Sequence, residues 1–182
     1  MERLHVVGPG RVGLALADAL VEADAVASVR ICGRHPEPPS HPLFTQGIAE
    51  YTFGLVAPAA ETTIALLTVP DRVLPELAHA LAAHHPEREG IPVLHTSGAM
   101  STDVLAPLHA RGYVVGSFFP LQTVPHAVPG ARLFDGAGIV VSGERDAAIA
   151  GRRVATTLGA HPIEVPAQRR AEVHAASLIV SN

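Results

Sequence analysis

Short apolar runs alternate along this chain with stretches whose apolar residues recur every three or four positions. Leu4-His5-Val6-Val7 predicts a strand, and Leu14, Leu16, Ala17, Leu20 and Val21 then fall on one face of a helix. Ser28 to Cys32 predicts a second strand. After the proline-rich stretch from Pro36 to Pro42, the segment to Pro58 predicts a short helix and a third strand over Glu50 to Phe53. Thr62 to Val69 is almost continuously apolar, as parallel strands covered on both faces are. Further on, the pattern predicts a helix over about Val73 to His84, a strand from Pro92 to Thr96, and a helix from Ser101 to Arg111 that Gly112 stops. Strands follow over Tyr113 to Phe118, Ala137 to Ser142 and His161 to Val165, with a helix from Arg145 to Leu158 between the last two. Strands repeatedly joined by helices imply right-handed crossovers and an α/β fold with a doubly wound, mostly parallel sheet.

The period changes once more near the C-terminus. Ala171, Ala175, Leu178 and Ile179 give Gln168 to Asn182 an apolar side, and no capping glycine ends that helix. The expectation is a domain over residues 1–166, with residues 167–182 as the first helix of a truncated or missing helical domain. A helix of this length gains most of its stability by packing its apolar side, which predicts a homodimer.

The junction of the first strand and helix reads Gly8-Pro9-Gly10-Arg11-Val12-Gly13, a G-x-G-x-x-G run in the strand–turn–helix context of a dinucleotide site. Gly8 permits the turn, Gly10 lets a pyrophosphate approach the backbone, and Gly13 lets the helix sit close to the sheet. The amides of Arg11 and Val12 then lie at a helix N-terminus, which favours an anion. About twenty residues on, the second strand ends in Gly33-Arg34-His35. An NAD site usually places an acid there for the ribose hydroxyls, whereas the arginine fork of Arg34 suits a 2′-phosphate, so the expected cofactor is NADP.

In such sheets the ligand lies beyond the carboxyl ends of the strands. That rule adds Val69, Pro70 and Asp71 to the cofactor-binding set, along with Thr96 and Ser97, whose hydroxyls could reach nicotinamide or substrate; Ser97-Gly98 also fits a plain turn. Gln122 could meet substrate or cap backbone groups. His174 could align with Ser181 and Asn182 on one helical face and exchange a proton at neutral pH, or make a helix–helix contact. Ser97, His174 and Asn182 are thus the candidate catalytic residues.

Composition narrows the class. The 182 residues carry a net charge of −4 and 48% hydrophobic residues, which argues for a buried core and against a nucleic-acid surface. All 13 basic residues are arginine, so no lysine of this chain serves as base or Schiff-base former. The single cysteine, Cys32, cannot form an internal disulfide, and the N-terminus shows no signal peptide, so a cytoplasmic protein is expected. No stretch reads as a membrane span. The eleven histidines lack metal-ligand spacing, and no metal is expected.

In order, the glycine run, Val69-Pro70-Asp71, His95-Thr96-Ser97-Gly98-Ala99, Pro120-Leu121-Gln122-Thr123, His174-Ala175-Ala176 and Ser181-Asn182 resemble a bacterial oxidoreductase family. Its members pair a Rossmann-like N-terminal domain with a C-terminal helical domain. It is similar in turn to pyrroline-5-carboxylate reductases, to 6-phosphogluconate and β-hydroxyacid dehydrogenases, and to deazaflavin-dependent NADP reductases. The resemblance implies hydride transfer between NADP and a small carbonyl, hydroxy-acid or imine substrate. The alternative is an NADP-binding sensor or interaction module without turnover. The family pattern has histidine before Pro-Leu-Gln-Thr. This chain has Phe119, which removes that histidine's role or moves it elsewhere.

Overall fold

In the computed structural model, which describes residues 1–84, 89–124, 131–166, 169 and 172–176, the elements follow the apolar pattern closely. Strand β1 (Glu2–Val7) leads through the glycine turn to helix α1 (Arg11–Glu22), then β2 (Val26–Gly33), a single turn α2 (Pro42–Thr45) and β3 (Glu50–Phe53). Next come β4 (Ile64–Leu67), α3 (Leu74–His84), β5 (Pro92–His95), a short α4 (Ala106–His109), β6 (Val114–Pro120), β7 (Gly138–Gly143), α5 (Arg145–Thr157) and β8 (His161–Ile163). Residues 172–176 are helical.

Where the expected helix Ser101 to Arg111 lies, a 3-10 turn over Thr102–Leu105 precedes α4 instead. Pro107 explains the break, because it has no N–H to offer the carbonyl four residues back.

The eight strands form one sheet in the order β3-β2-β1-β4-β5-β6-β7-β8. The order reverses between β1 and β4. Every pairing is parallel except β6 with β7, which is antiparallel from Gly116↔Gly143 to Pro120↔Ile139. Among the described residues, the β6–β7 connection holds only a 3-10 turn, Ala131–Phe134. Without a crossover helix, the returning strand runs antiparallel.

Both faces of the sheet are covered. On one, Leu16 and Leu20 of α1 and Val154 and Ala155 of α5 pack on Val6, Leu66, Leu94 and Phe118. On the other, Leu74, Ala78 and Leu81 of α3 and Leu108 of α4 pack on Val7, Leu67, Val93 and Val115. No helix among the described residues is long and apolar enough to cross a membrane.

An ion pair joins β1 to α5, 151 positions apart in sequence. Glu2, at the start of β1, accepts from Arg153 Nε of α5 at 2.6 Å and from the Thr63 hydroxyl. Burial opposes ionisation of Glu2, but the Arg153 guanidinium and the Thr63 hydroxyl override it and hold the carboxyl below its ordinary 4.5. A lowered pKa of this kind stabilises the fold above the ordinary value and ceases to do so as pH falls through the lowered one. Glu2→Gln should therefore cost about 1 kcal/mol at pH 7, since Arg153 is half exposed, or about 2–4 °C in Tm. Thermal melts of both proteins should converge as the pH drops well below 4.5. A gap that persists in acid would overturn the assignment.

Candidate functional site

The carboxyl ends of β1 and β4 lie side by side where the strand order reverses, and their loops leave in opposite directions. A crevice opens there, the usual ligand position of such sheets. Its floor is hydrogen-bonded. The Gly8 amide donates to Cys32 O at 2.9 Å, and the Thr68 hydroxyl donates to Gly8 O at 2.6 Å and Val7 O at 3.2 Å. Thr68 thus holds the glycine turn against β4. The strand-end rule already selects Thr68 along with Val69, Pro70 and Asp71, but not the bond it makes to the turn.

The three glycines differ in what they answer to. Gly8 has φ +106°, a conformation that side chains disfavour. A Cβ on Gly13 would lie under 3.0 Å from the Thr68 hydroxyl and the Gly8 carbonyl, so the helix meets the strand end there without room for a methyl group. Gly10 is under neither constraint. Its backbone is extended, φ −82° and ψ 179°, and an added Cβ would meet only the Thr68 carbonyl, at 3.8 Å. Neither backbone strain nor packing calls for glycine at this position, although glycine suits a helix N-cap. Gly10 also caps α1, which has no side-chain cap and no acid in its first turn. Arg11 is exposed and Val12 half-buried at that N-terminus. The arrangement suits a pyrophosphate.

At the neighbouring end of β2, buried Gly33 is pressed between Tyr51 of β3 and Pro9: a Cβ would lie 2.7 Å from the Tyr51 hydroxyl and 2.8 Å from Pro9 Cγ. Arg34 and His35 follow, both exposed. The Tyr51 hydroxyl donates to the His35 carbonyl at 2.6 Å, and burial pushes its phenol up. The aromatic's polar tip is what joins β3 to this loop, and periodicity does not reveal it. Across the crevice Val69 packs beside Gly8. Pro70 is exposed, and Asp71 opens a 3-10 turn, Asp71–Val73, that leads into α3.

On the far side, the end of β5 is tightly tied. Thr96 donates through both its amide and its hydroxyl to Leu67 O, at 3.1 and 3.4 Å. The Ser97 amide donates to Nδ1 of fully buried His95 at 3.2 Å, and Ser97 Oγ accepts from Met100 N at 3.0 Å. Gly98 is covered by His174 and Phe119: an added Cβ would lie under 3.0 Å from His174 Nδ1 and from Phe119 Cζ and Cε1. Those two rings meet edge to face with centroids 5.4 Å apart. His174 is therefore brought to Ser97-Gly98 and to the residue standing where the resembled family has histidine, a proximity that no local spacing announces. Gln122 is exposed. Ser181 and Asn182 lie outside the described residues. Among the described residues no three His, Cys, Asp or Glu side chains are grouped to hold a metal ion.

The Rossmann-like domain pattern matches residues 2–120. No curated protein matches the sequence. Solved structures resemble it in fold. A candidate NADP oxidoreductase from Bacteroides fragilis superposes with a TM-score of 0.79 at 20% identity, over 98% of this chain and 66% of its own. Prephenate dehydrogenase of Aquifex aeolicus, solved with hydroxyphenyl propionate and NAD+, gives 0.74 at 18% identity, over 99% and 68%. A pyrroline-5-carboxylate reductase from Coxiella burnetii gives 0.71 at 13% identity, over 96% and 63%. The chain thus spans about two thirds of the length of each.

Proposed function

The chain belongs to the Rossmann-like domain family, and from that premise we propose that it binds NADP(H) and serves an oxidoreductase acting on a small carbonyl, hydroxy-acid or imine substrate. The observation that carries this reading is Gly10, a glycine that neither backbone conformation nor packing requires, at the N-terminus of a 12-residue helix that has no side-chain cap. The amides of Arg11 and Val12 would hold the pyrophosphate, Thr68 fixes the loop that presents them, and Val69 and Pro70 flank the nucleoside. Arg34 would meet the 2′-phosphate with a charged, planar fork. The similarity to a candidate NADP oxidoreductase and to an NAD+-bound dehydrogenase supports a dinucleotide.

When bound, the nicotinamide supplies the hydride. The protein orients and protonates. Thr96 and Ser97 form the rigid wall at the end of β5, and His174, on the helix of residues 172–176, sets an imidazole over Gly98 beside that wall. An imidazole there suits proton exchange with a substrate oxygen or nitrogen. Gln122 is the substrate contact in this reading, and a second subunit completes the pocket.

Arg34→Asp should weaken NADPH binding by about 1.5–3 kcal/mol, the value of a charged hydrogen bond, and leave NADH unchanged or improved. Calorimetric titration of wild type and variant with both cofactors is the test. Equal affinities for NADH and NADPH in the wild type would sink the NADP assignment. Hydride transfer from NADPH to a panel of 2-keto acids and cyclic imines tests the oxidoreductase half. A second reading, cofactor sensing without turnover, draws on Phe119, an inert ring against His174. Tight NADPH binding with no turnover on any substrate class would favour it.

A further inference from the structure

The end of β2 carries one more polar group than the Arg34 reading uses. Arg34 and His35 are consecutive, yet their side chains meet, Arg34 Nε donating to His35 Nε2 at 3.3 Å. Neighbouring residues of an extended strand point to opposite faces, so the backbone has turned here and aims both groups at one place. That turn is held from beneath by the Tyr51 hydroxyl on the His35 carbonyl and by the clamp of Tyr51 and Pro9 on Gly33. Both side chains are exposed, and among the described residues no carboxylate pairs with Arg34. In this arrangement His35 Nε2 is an acceptor, which requires a neutral ring with its proton on Nδ1. A phosphate dianion arriving at the same spot favours the opposite state, because both nitrogens of a protonated ring donate.

We propose that His35 joins Arg34 as a titratable ligand of the adenosine 2′-phosphate, so that preference for the phosphorylated dinucleotide strengthens as pH falls toward the imidazole range. The proposal rests on the NADP reading above. Binding then takes up a proton on His35, because the protonated ring donates to the phosphate. Because binding takes up a proton, the added affinity grows as pH falls and is lost as pH rises. Other groups at this corner do not supply the same slope. The guanidinium groups of Arg34 and of Arg11 at the start of α1 stay charged, and Glu37 on the same loop is a carboxylate, not an imidazole. Burial pushes both Tyr51 and Cys32 up, so neither ionises here. The ligand's phosphate takes its own second proton near pH 6, roughly, which flattens the gain in stronger acid.

The test is calorimetric titration of the full chain with 2′,5′-ADP and with 5′-AMP, between about pH 8.5 and 6.5, where imidazole changes charge. It uses wild type, H35Q and H35A, with folding checked by circular dichroism. Wild type should bind 2′,5′-ADP about fivefold more tightly at the lower pH and take up part of a proton, read from buffers of different ionisation enthalpy. Binding of 5′-AMP should not change. H35Q, which keeps a donor but cannot titrate, should flatten the profile, as should H35A. Equal wild-type affinity for the two ligands overturns the NADP reading and this proposal with it. A preference for 2′,5′-ADP that is flat in wild type, or still slopes in H35Q, overturns the role of His35 alone.

Discussion

Gly10→Val should abolish dinucleotide binding while leaving the domain folded. The substitution meets no strain at φ −82° and no clash nearer than 3.8 Å from its Cβ, so its structural cost is confined to a poorer helix cap, about 1 kcal/mol. Its branched side chain occupies the space in front of the α1 amides. Losing two charge-assisted bonds to a pyrophosphate costs about 3–6 kcal/mol, more than roughly 100-fold in affinity. Calorimetry with NADPH and far-ultraviolet circular dichroism together decide the matter. A folded variant that binds within threefold of wild type would remove the glycine turn from the site.

Three residues further on, the smaller change Gly13→Ala should do the reverse and damage the fold first. Its methyl group lands on the Thr68 hydroxyl and the Gly8 carbonyl, two atoms already bonded to each other. Neither can retreat, because one belongs to the backbone of the turn and the other is anchored by it. Helix α1 must lift from β1, where Leu16 and Leu20 are fully buried. Overpacking of this kind costs about 3 kcal/mol, or about 6–12 °C in Tm for a chain of this size. A variant that melts with the wild type would show that α1 does not rest on the strand end as described.

Local pattern carried most of the fold and about half of the site. Strand β3 lies over Glu50–Phe53, where the sequence predicts it, and the glycine run reads directly because Gly8 answers a demand of the turn and Gly13 one of packing. The direction of β7 is not written in its own residues: Ile139, Val140 and Val141 are buried whichever way the strand runs, and the connection before it decides. The long helix expected before Gly112 breaks at Pro107, a residue whose effect outweighs the apolar spacing of Val104, Leu105 and Leu108. On the site, Arg34 is legible as a charge just beyond the second strand. What Thr68 and Tyr51 bond to, and the meeting of His174 with Phe119, are not. Each acts on a partner distant in sequence, and only the assembled sheet brings them together.

The seam between β1 and β4 has a consequence for the order of assembly. Leu4 finds its β2 partner, Val29, within the first βαβ unit, and β5 and β6 likewise pair with near neighbours in sequence. The crevice instead depends on the Thr68–Gly8 bond, which closes a loop of 60 positions. Going from a loop of half that size to this one adds about 0.6 kcal/mol of closure entropy, and nothing repays it until β1 and β4 register along their full length. The two wings of the sheet are therefore free to form early, with the crevice as the join between them. A ligand spanning Gly10 and Arg34 would bind only the joined state, and by mass action would raise the population in which the wings have met.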